Sequence, residues 1–226
     1  MNTNDLARRV RVAGRALAKC GLVHAYGHCS ARIDANTFLV SPPKPLGMVK
    51  AGEPCAIVPL AGPLPEGVLG EVRIHREIYR LRPDVGGVIR STPPNAMTLG
   101  AMRLTPKARY GYGAYFAPQP PLWDDPKLLR SDELTERLAA TLGNASAIFM
   151  RGNGLVTAGE SIEEAVVLTW YAEDAARVEL EFLAANMADV GILSDDDVKS
   201  RATWAGRIRE RMWDYLTDGD AEGAAA

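Results

Sequence analysis

The run Gly86-Gly87-Val88-Ile89-Arg90-Ser91 is short, apolar through its middle, and stopped by Thr92-Pro93-Pro94. A run of this length closed by prolines, which lack an amide donor, predicts a buried strand over 86–91. The rest of the chain has to cover it. Its one charged member, Arg90, is the exception, because burying an unpaired guanidinium is costly. Arg90 therefore either pairs with a carboxylate such as Glu71 or awaits an anionic ligand.

The flanking segments supply the cover. Leu6, Val10, Ala13 and Leu17 share one face of a helix expected over 3–19, which Gly21 ends. A turn over 25–30 leads to short strands at 31–33 and 37–40, and the prolines of 41–47 make that segment a loop. A strand at 56–60 and a loop at 61–66 follow, then a helix over 68–81 with Val72, Ile78 and Tyr79 inward. Prolines open a helix at 95–101, ahead of a flexible, aromatic stretch at 110–116 and a loop at 118–126. Ser131 with Glu133, Leu134, Leu138 and Leu142 marks a capped amphipathic helix. Strands at 147–150 and 155–157 flank a tight turn at 151–154. The chain then runs through a long helix over 161–189 and a last one over 194–216, its start reinforced by Asp195, Asp196 and Asp197. No repeat or linker interrupts the pattern. One α/β domain is expected over 1–226, with helices on a mostly antiparallel sheet, a core over about 4–216 and a frayed tail at 217–226.

A chain of 226 residues buries about 70–75% of its unfolded surface, so it needs no disulfide or structural metal. A net charge of −2 argues against nucleic acid or an anionic membrane as partner. Cys20, Cys29 and Cys55 are odd in number without CxxC spacing, which disfavours a disulfide framework or zinc knuckle. The polar N-terminus and the lack of a long apolar run predict a cytoplasmic protein without a membrane span. Histidine is scarce: only His24, His28 and His75 occur, so a three-imidazole metal site would have to use all of them.

Several residues are candidates for chemistry. Glu71 and His75, four apart in a predicted helix, share one face as a base and its partner or as two metal ligands, unless they belong to a solvated face with Arg73, Arg76 and Glu77. His28 lies in a Gly-His-Cys-Ser turn, where Gly27 lets the backbone approach a ligand and Ser30 offers a hydroxyl. That turn suits an anion, or else His28 merely satisfies loop carbonyls. His24 reads either as a partly buried packing residue or as a group with a direct role. Arg151 repeats the argument for Arg90 more weakly, and Tyr110, Tyr112 and Tyr115 offer phenolic donors or interface contacts. Nucleotide-loop, Ser-His-Asp and deaminase signatures are absent.

The order of these motifs resembles the class II aldolase/adducin family. Gly27-x-x-Ser30, Ser41-Pro42, the run Glu71-x-x-x-His75-x-x-x-Tyr79-x-x-Arg82-Pro83-Asp84, the buried strand and Gly154-Leu-Val carry the resemblance over nearly the whole chain. The Gly-His-x-Ser form at 27–30 resembles a branch that includes decarboxylases of hydroxylated aromatic acids. The resemblance implies α/β/α layers around a largely antiparallel sheet, and a homotetramer with active sites at subunit interfaces.

The same resemblance implies a divalent metal on a His-x-His pair after the buried strand and a third histidine before a glycine. Here those positions read Arg90-Ser91-Thr92 and Asn153-Gly154. Arginine offers only donors and does not lose its proton, so no metal and no other cofactor is expected. One reading is a metal-independent lyase acting on a small carboxylated or carbonyl substrate. Arg90 then replaces the metal's charge, and Glu71 is the acid/base, assisted by His28 or Tyr112. Ser30, His75, Thr92, Arg151, Asn153 and Tyr110 would bind the anionic substrate. A second reading is a non-catalytic, adducin-type scaffold, and a third is a metal site rebuilt from His28, Glu71 and His75.

Overall fold

The computed structural model describes residues 2–223. Helix α1 (Thr3–Lys19) starts where the Asn2 side chain accepts from the Asn4 amide, and it buries Leu6, Val10, Ala13 and Leu17 as their spacing predicts. Strands β1 (His28–Arg32), β2 (Thr37–Val40) and β3 (Ala56–Pro59) follow, then a 3-10 turn (Gly70–Val72) that runs into α2 (Arg73–Leu81). Next come β4 (Gly87–Ser91), α3 (Pro94–Ala101), a 3-10 segment (Gly113–Phe116), β5 (Leu122–Trp123) and α4 (Asp132–Leu142). The chain closes with β6 (Ala147–Met150), β7 (Gly154–Gly159), α5 (Ile162–Ala184), α6 (Asp195–Arg201) and α7 (Ile208–Thr217).

The seven strands form one sheet in the order β3-β2-β1-β4-β7-β6-β5, antiparallel except for the β5–β6 pair. The strand predicted over 86–91 is β4, at the centre. Successive residues point to opposite faces of a strand, and both faces are covered here. Ile89, Leu155 and Phe149 join α1, α3 and α5 in one core, whereas Val88, Val156 and Ile148 join α2 and α4 in the other. This is the expected α/β/α layering. At the start of β7, Gly154 has φ +92 and passes so close to β4 that a Cβ would stand 2.1 Å from the Ser91 carbonyl oxygen. Only glycine fits there.

Five expectations change. The turn over 25–30 becomes strand from His28, because Cys29 and Ser30 pair with β4 and Ser30 also with β2. The loop over 118–126 contains β5, which lies beside the last two residues of β6. The long helix stops at Ala184, with Asn186 in the left-handed region. The helix over 194–216 is two helices, since Gly206 and Arg207 both take positive φ and the Thr203 carbonyl is drawn away to accept from Tyr115. The chain after Thr217 is anchored as far as it is described: Arg15 bonds Asp220 and Glu222, and Arg11 bonds Glu222. Residues 224–226 of the expected tail lie outside the described residues. Among the described residues no helix is long and apolar enough to cross a membrane.

Candidate active site

The β1–β4 register sets the site. His28 lies directly opposite Arg90, so both side chains emerge on the α2 face of the sheet. Gly27 makes the approach possible, since a Cβ there would press on Val23 and on the Arg90 carbonyl. A cavity of about 590 Å³ opens at this end of the strands, lined by His28, Glu71, Arg90, Thr92, Asn153 and Arg130 among others.

Arg90 is oriented by Asn153, whose side-chain oxygen accepts at 2.6 Å and backbone oxygen at 3.0 Å, and less directly by the Tyr26 carbonyl at 3.4 Å. Those partners are neutral. The other cations at the cavity already have carboxylates: Arg130 pairs with Glu71 at 2.8 Å and Lys44 with Glu53 at 2.6 Å. Among the described residues no carboxylate stands within ion-pair distance of Arg90, so of the two alternatives the pairing with Glu71 is not made. Burial lowers the Arg90 pKa, and the more distant charge of Glu71 only partly offsets this. A guanidinium held by neutral acceptors at a cavity wall is a site for an anionic oxygen.

His28 and His75 belong to a buried chain. The inward face of α2 carries His75 and Tyr79 one turn apart, and both meet Ser30 of β1. His75 Nδ1 lies 2.6 Å from Ser30 Oγ, its Nε2 lies 2.6 Å from His28 Nδ1, and Tyr79 Oη is 2.9 Å from Ser30 Oγ. Desolvation pushes His75 down to about 3, with the Arg90 charge adding to it. The same burial, followed by His75 and Arg90, lowers His28 well below its ordinary value. Burial and the neighbouring Arg90 charge both favour the neutral form of each ring.

The structure gathers His28, Glu71, Arg90, Thr92 and Asn153 at one cavity and separates the remaining candidates from it. Glu71 sits on the 3-10 turn, so it faces the cavity while His75, fully buried, faces the sheet; the two do not share a solvent-facing stripe. Arg76 and Glu77 are buried too, in ion pairs with each other, Asp132 and Arg80, so the solvated-face alternative fails as well. Ser30 is fully buried in strand β1 and does not line the cavity. Arg151 pairs with Asp124 at 2.6 Å beside a different hollow. Tyr110 bonds Asp174, and Tyr112 stacks on Tyr171 with centroids 4.3 Å apart; both pack against α5 on the opposite face of the sheet. His24 is exposed. Arg130 and Lys44 are additions to the site, from loops without a pattern that marks them.

Residues 8–180 match the Class II Aldolase and Adducin N-terminal domain. The chain belongs to the class II aldolase and adducin family. A 3,4-dihydroxyphthalate decarboxylase from Arthrobacter keyseri is 29% identical over 79% of each chain. Crystallised L-fuculose-1-phosphate aldolase from Thermus thermophilus is 25% identical, over 81% of this chain and 96% of that one, with a TM-score of 0.72. An aldolase II superfamily protein from Pseudomonas syringae shares the fold at 20% identity, TM-score 0.80, over 96% of this chain and 92% of that one. These likenesses support a carbon–carbon lyase.

The residues do not fit the divalent metal that the family resemblance implies. Of the three positions where imidazoles are expected, Arg90 and Asn153 are bonded to each other and Thr92 is the third. Arginine has no lone pair to give a cation and repels it. A site rebuilt from His28, Glu71 and His75 does not form either, because the His28 and His75 nitrogens bond each other. Among the described residues no three His, Cys, Asp or Glu side chains converge to hold a metal ion.

Proposed function

We propose that this class II aldolase family member is a lyase that decarboxylates a small, hydroxylated aromatic acid without a divalent metal, with Arg90 supplying the fixed positive charge. The observation that carries this reading is the Arg90 guanidinium at the cavity wall, aimed by Asn153 and lacking a carboxylate. An aromatic carboxylate loses carbon dioxide when the ring carbon takes a proton and the electron pair of the breaking C–C bond stays in the ring. Negative charge then develops on the phenolic oxygen attached to the ring. A preorganised cation in a water-poor cavity is worth several kcal/mol to such an oxyanion, and removing one such donor costs about 10²–10³ in turnover. Glu71, at the mouth of the same cavity and paired with Arg130, takes the proton of the substrate's hydroxyl group and delivers it to the ring carbon, and the phenolate left after carbon dioxide departs is reprotonated from solvent.

The 29% identical 3,4-dihydroxyphthalate decarboxylase favours an aromatic substrate over a sugar phosphate, and the convergence of charged groups on one cavity favours an enzyme over an adducin-type scaffold. The same cation would hold the enolate of a retro-aldol cleavage, so both products are assayed. Purified protein, analysed for metal before and after chelation, is screened with hydroxylated aromatic acids and 2-oxo acids for carbon dioxide and aldehyde release. Turnover that survives chelation and falls roughly 10²–10⁴-fold in Glu71→Gln supports the proposal. Stoichiometric metal whose removal abolishes turnover overturns it. Light scattering on the same sample tests whether the working form is a homotetramer.

A further inference from the structure

The chain of hydrogen bonds behind His28 has only one arrangement of protons that satisfies every member well. Among the described residues the only acceptor bonded to the buried Tyr79 phenol is Ser30 Oγ, at 2.9 Å. Were Ser30 to donate to it, the phenol hydrogen would be buried without an acceptor, so Tyr79 donates to Ser30. The single hydroxyl proton of Ser30 then has two possible acceptors, His75 Nδ1 at 2.6 Å and the Val88 carbonyl at 3.5 Å. The short contact is the good hydrogen bond. His75 therefore keeps its proton on Nε2 and donates it across 2.6 Å to His28 Nδ1. A neutral ring has one proton, so that of His28 is on Nε2. This nitrogen has no partner among the described residues and is not sealed off, and its residue lines the cavity beside Arg90.

We infer that His28 meets the substrate as a neutral Nε2–H donor rather than as a base, and that His75, Ser30 and Tyr79 are positioning residues that fix this tautomer. The tautomer is assigned from the hydrogen-bond network. His28 and Arg90, opposite each other on neighbouring strands, then form a two-donor clamp for one anionic oxygen group, a carboxylate or a developing phenolate. A neutral imidazole donor of this kind stabilises an oxyanion without giving up its proton. The buried chain does not pass protons to the substrate, because that would leave a tyrosinate at its far end, and burial raises the Tyr79 pKa. Proton transfer stays with Glu71. The clamp's part in turnover rests on the decarboxylase reading, but the tautomer does not.

With three histidines in the chain, the imidazole ¹⁵N spectrum is simple, and His24→Gln and His28→Gln assign it. Long-range proton–nitrogen correlation on the substrate-free protein should show both His28 and His75 protonated on Nε2. Protonation of both on Nδ1 overturns the inference whatever the activity. Phthalate, added as an aromatic dicarboxylate probe, should shift the His28 Nε2 signal and leave His24 unmoved; binding of phthalate with His28 unmoved removes the clamp. In Ser30→Ala the tautomer should become mixed and kcat should fall roughly 10–100-fold, as when outer partners of an oriented histidine are removed, with Ser30→Thr restoring both. A fall in kcat without any change of tautomer reduces Ser30 to a packing role and overturns its assignment. Nε2 protonation in a protein with no decarboxylase activity would leave the tautomer standing and defeat the proposed reaction instead.

Discussion

Arg90 and Arg109 stand on opposite faces of the sheet, Arg109 buried and Arg90 half-buried at its cavity, and their partners differ in kind. Arg109 lies against α5, where the Glu179 carboxylate accepts at 2.7 and 2.9 Å, the Ala188 and Val190 carbonyls accept further bonds, and the Phe182 ring lies 4.3 Å from its guanidinium carbon. Arg90 has neutral oxygens only. A buried cation with a buried carboxylate is complete in itself and contributes to the fold. A half-buried cation at a cavity without one is complete only when an anion arrives. The difference separates a structural arginine from a functional one more sharply than burial alone.

The contrast can be broken by exchanging the expected phenotypes. Arg109→Met leaves Glu179 buried and unpaired, so it should cost about 3–5 kcal/mol in urea-induced unfolding while the folded fraction keeps its kcat. A loss below about 1 kcal/mol would end the structural assignment. Arg90→Ala should do the opposite: kcat falls about 10²–10³-fold, or about 3–4 kcal/mol, while the unfolding free energy stays within about 1 kcal/mol of the parent. Unchanged turnover would remove Arg90 from the site.

A third comparison uses pH. The Glu222 carboxylate, bonded first by Arg11 and also by Arg15, is held down from the ordinary 4.5 to about 2 despite its burial. A depressed carboxylate stabilises the fold above the unfolded value, so this contribution is full above about pH 4.5 and is lost as pH falls toward about 2. It amounts to roughly 2–3 kcal/mol, read as the melting temperature across that window. Glu222→Gln should flatten that part of the profile, and an unaltered slope would show that other carboxylates carry it. The smallest effect belongs to Arg151, whose place at the end of β6 mimics that of Arg90 at the end of β4. Its partner Asp124 is half exposed, so Arg151→Ala should cost at most about 1 kcal/mol and leave kcat and KM unchanged. A raised KM would return Arg151 to the substrate.

Most of the elements were legible because their signals are local. The apolar face of α1, the prolines that open α3, the Ser131 cap and the apolar run of β4 each depend on residues within a few positions of one another. Errors fell where a distant partner decides. Residues 28–30 carry turn-like glycine and serine, yet pairing with β4 makes them strand. Residues 122–123 are strand only because β6 lies beside them. At the site, Glu71, His28 and Arg90 stood out by residue type and motif, whereas Arg130 and Lys44 come from loops where nothing in the pattern announces a role.

The sequence by itself determined the family, the layered α/β class and the replacement of the expected metal-binding imidazoles by Arg90, Thr92 and Asn153. Those are statements about which residue stands where. The tertiary structure alone decided what each polar group meets: Arg90 with Asn153, His75 between His28 and Ser30, Arg151 with Asp124, Tyr112 on Tyr171. Burial makes a polar group's energy depend on its nearest partner, and the first two of those pairings join residues 63 and 47 positions apart. The β4–β7 pairing brings the first together and the packing of α2 on the sheet brings the second, and sequence spacing sets neither.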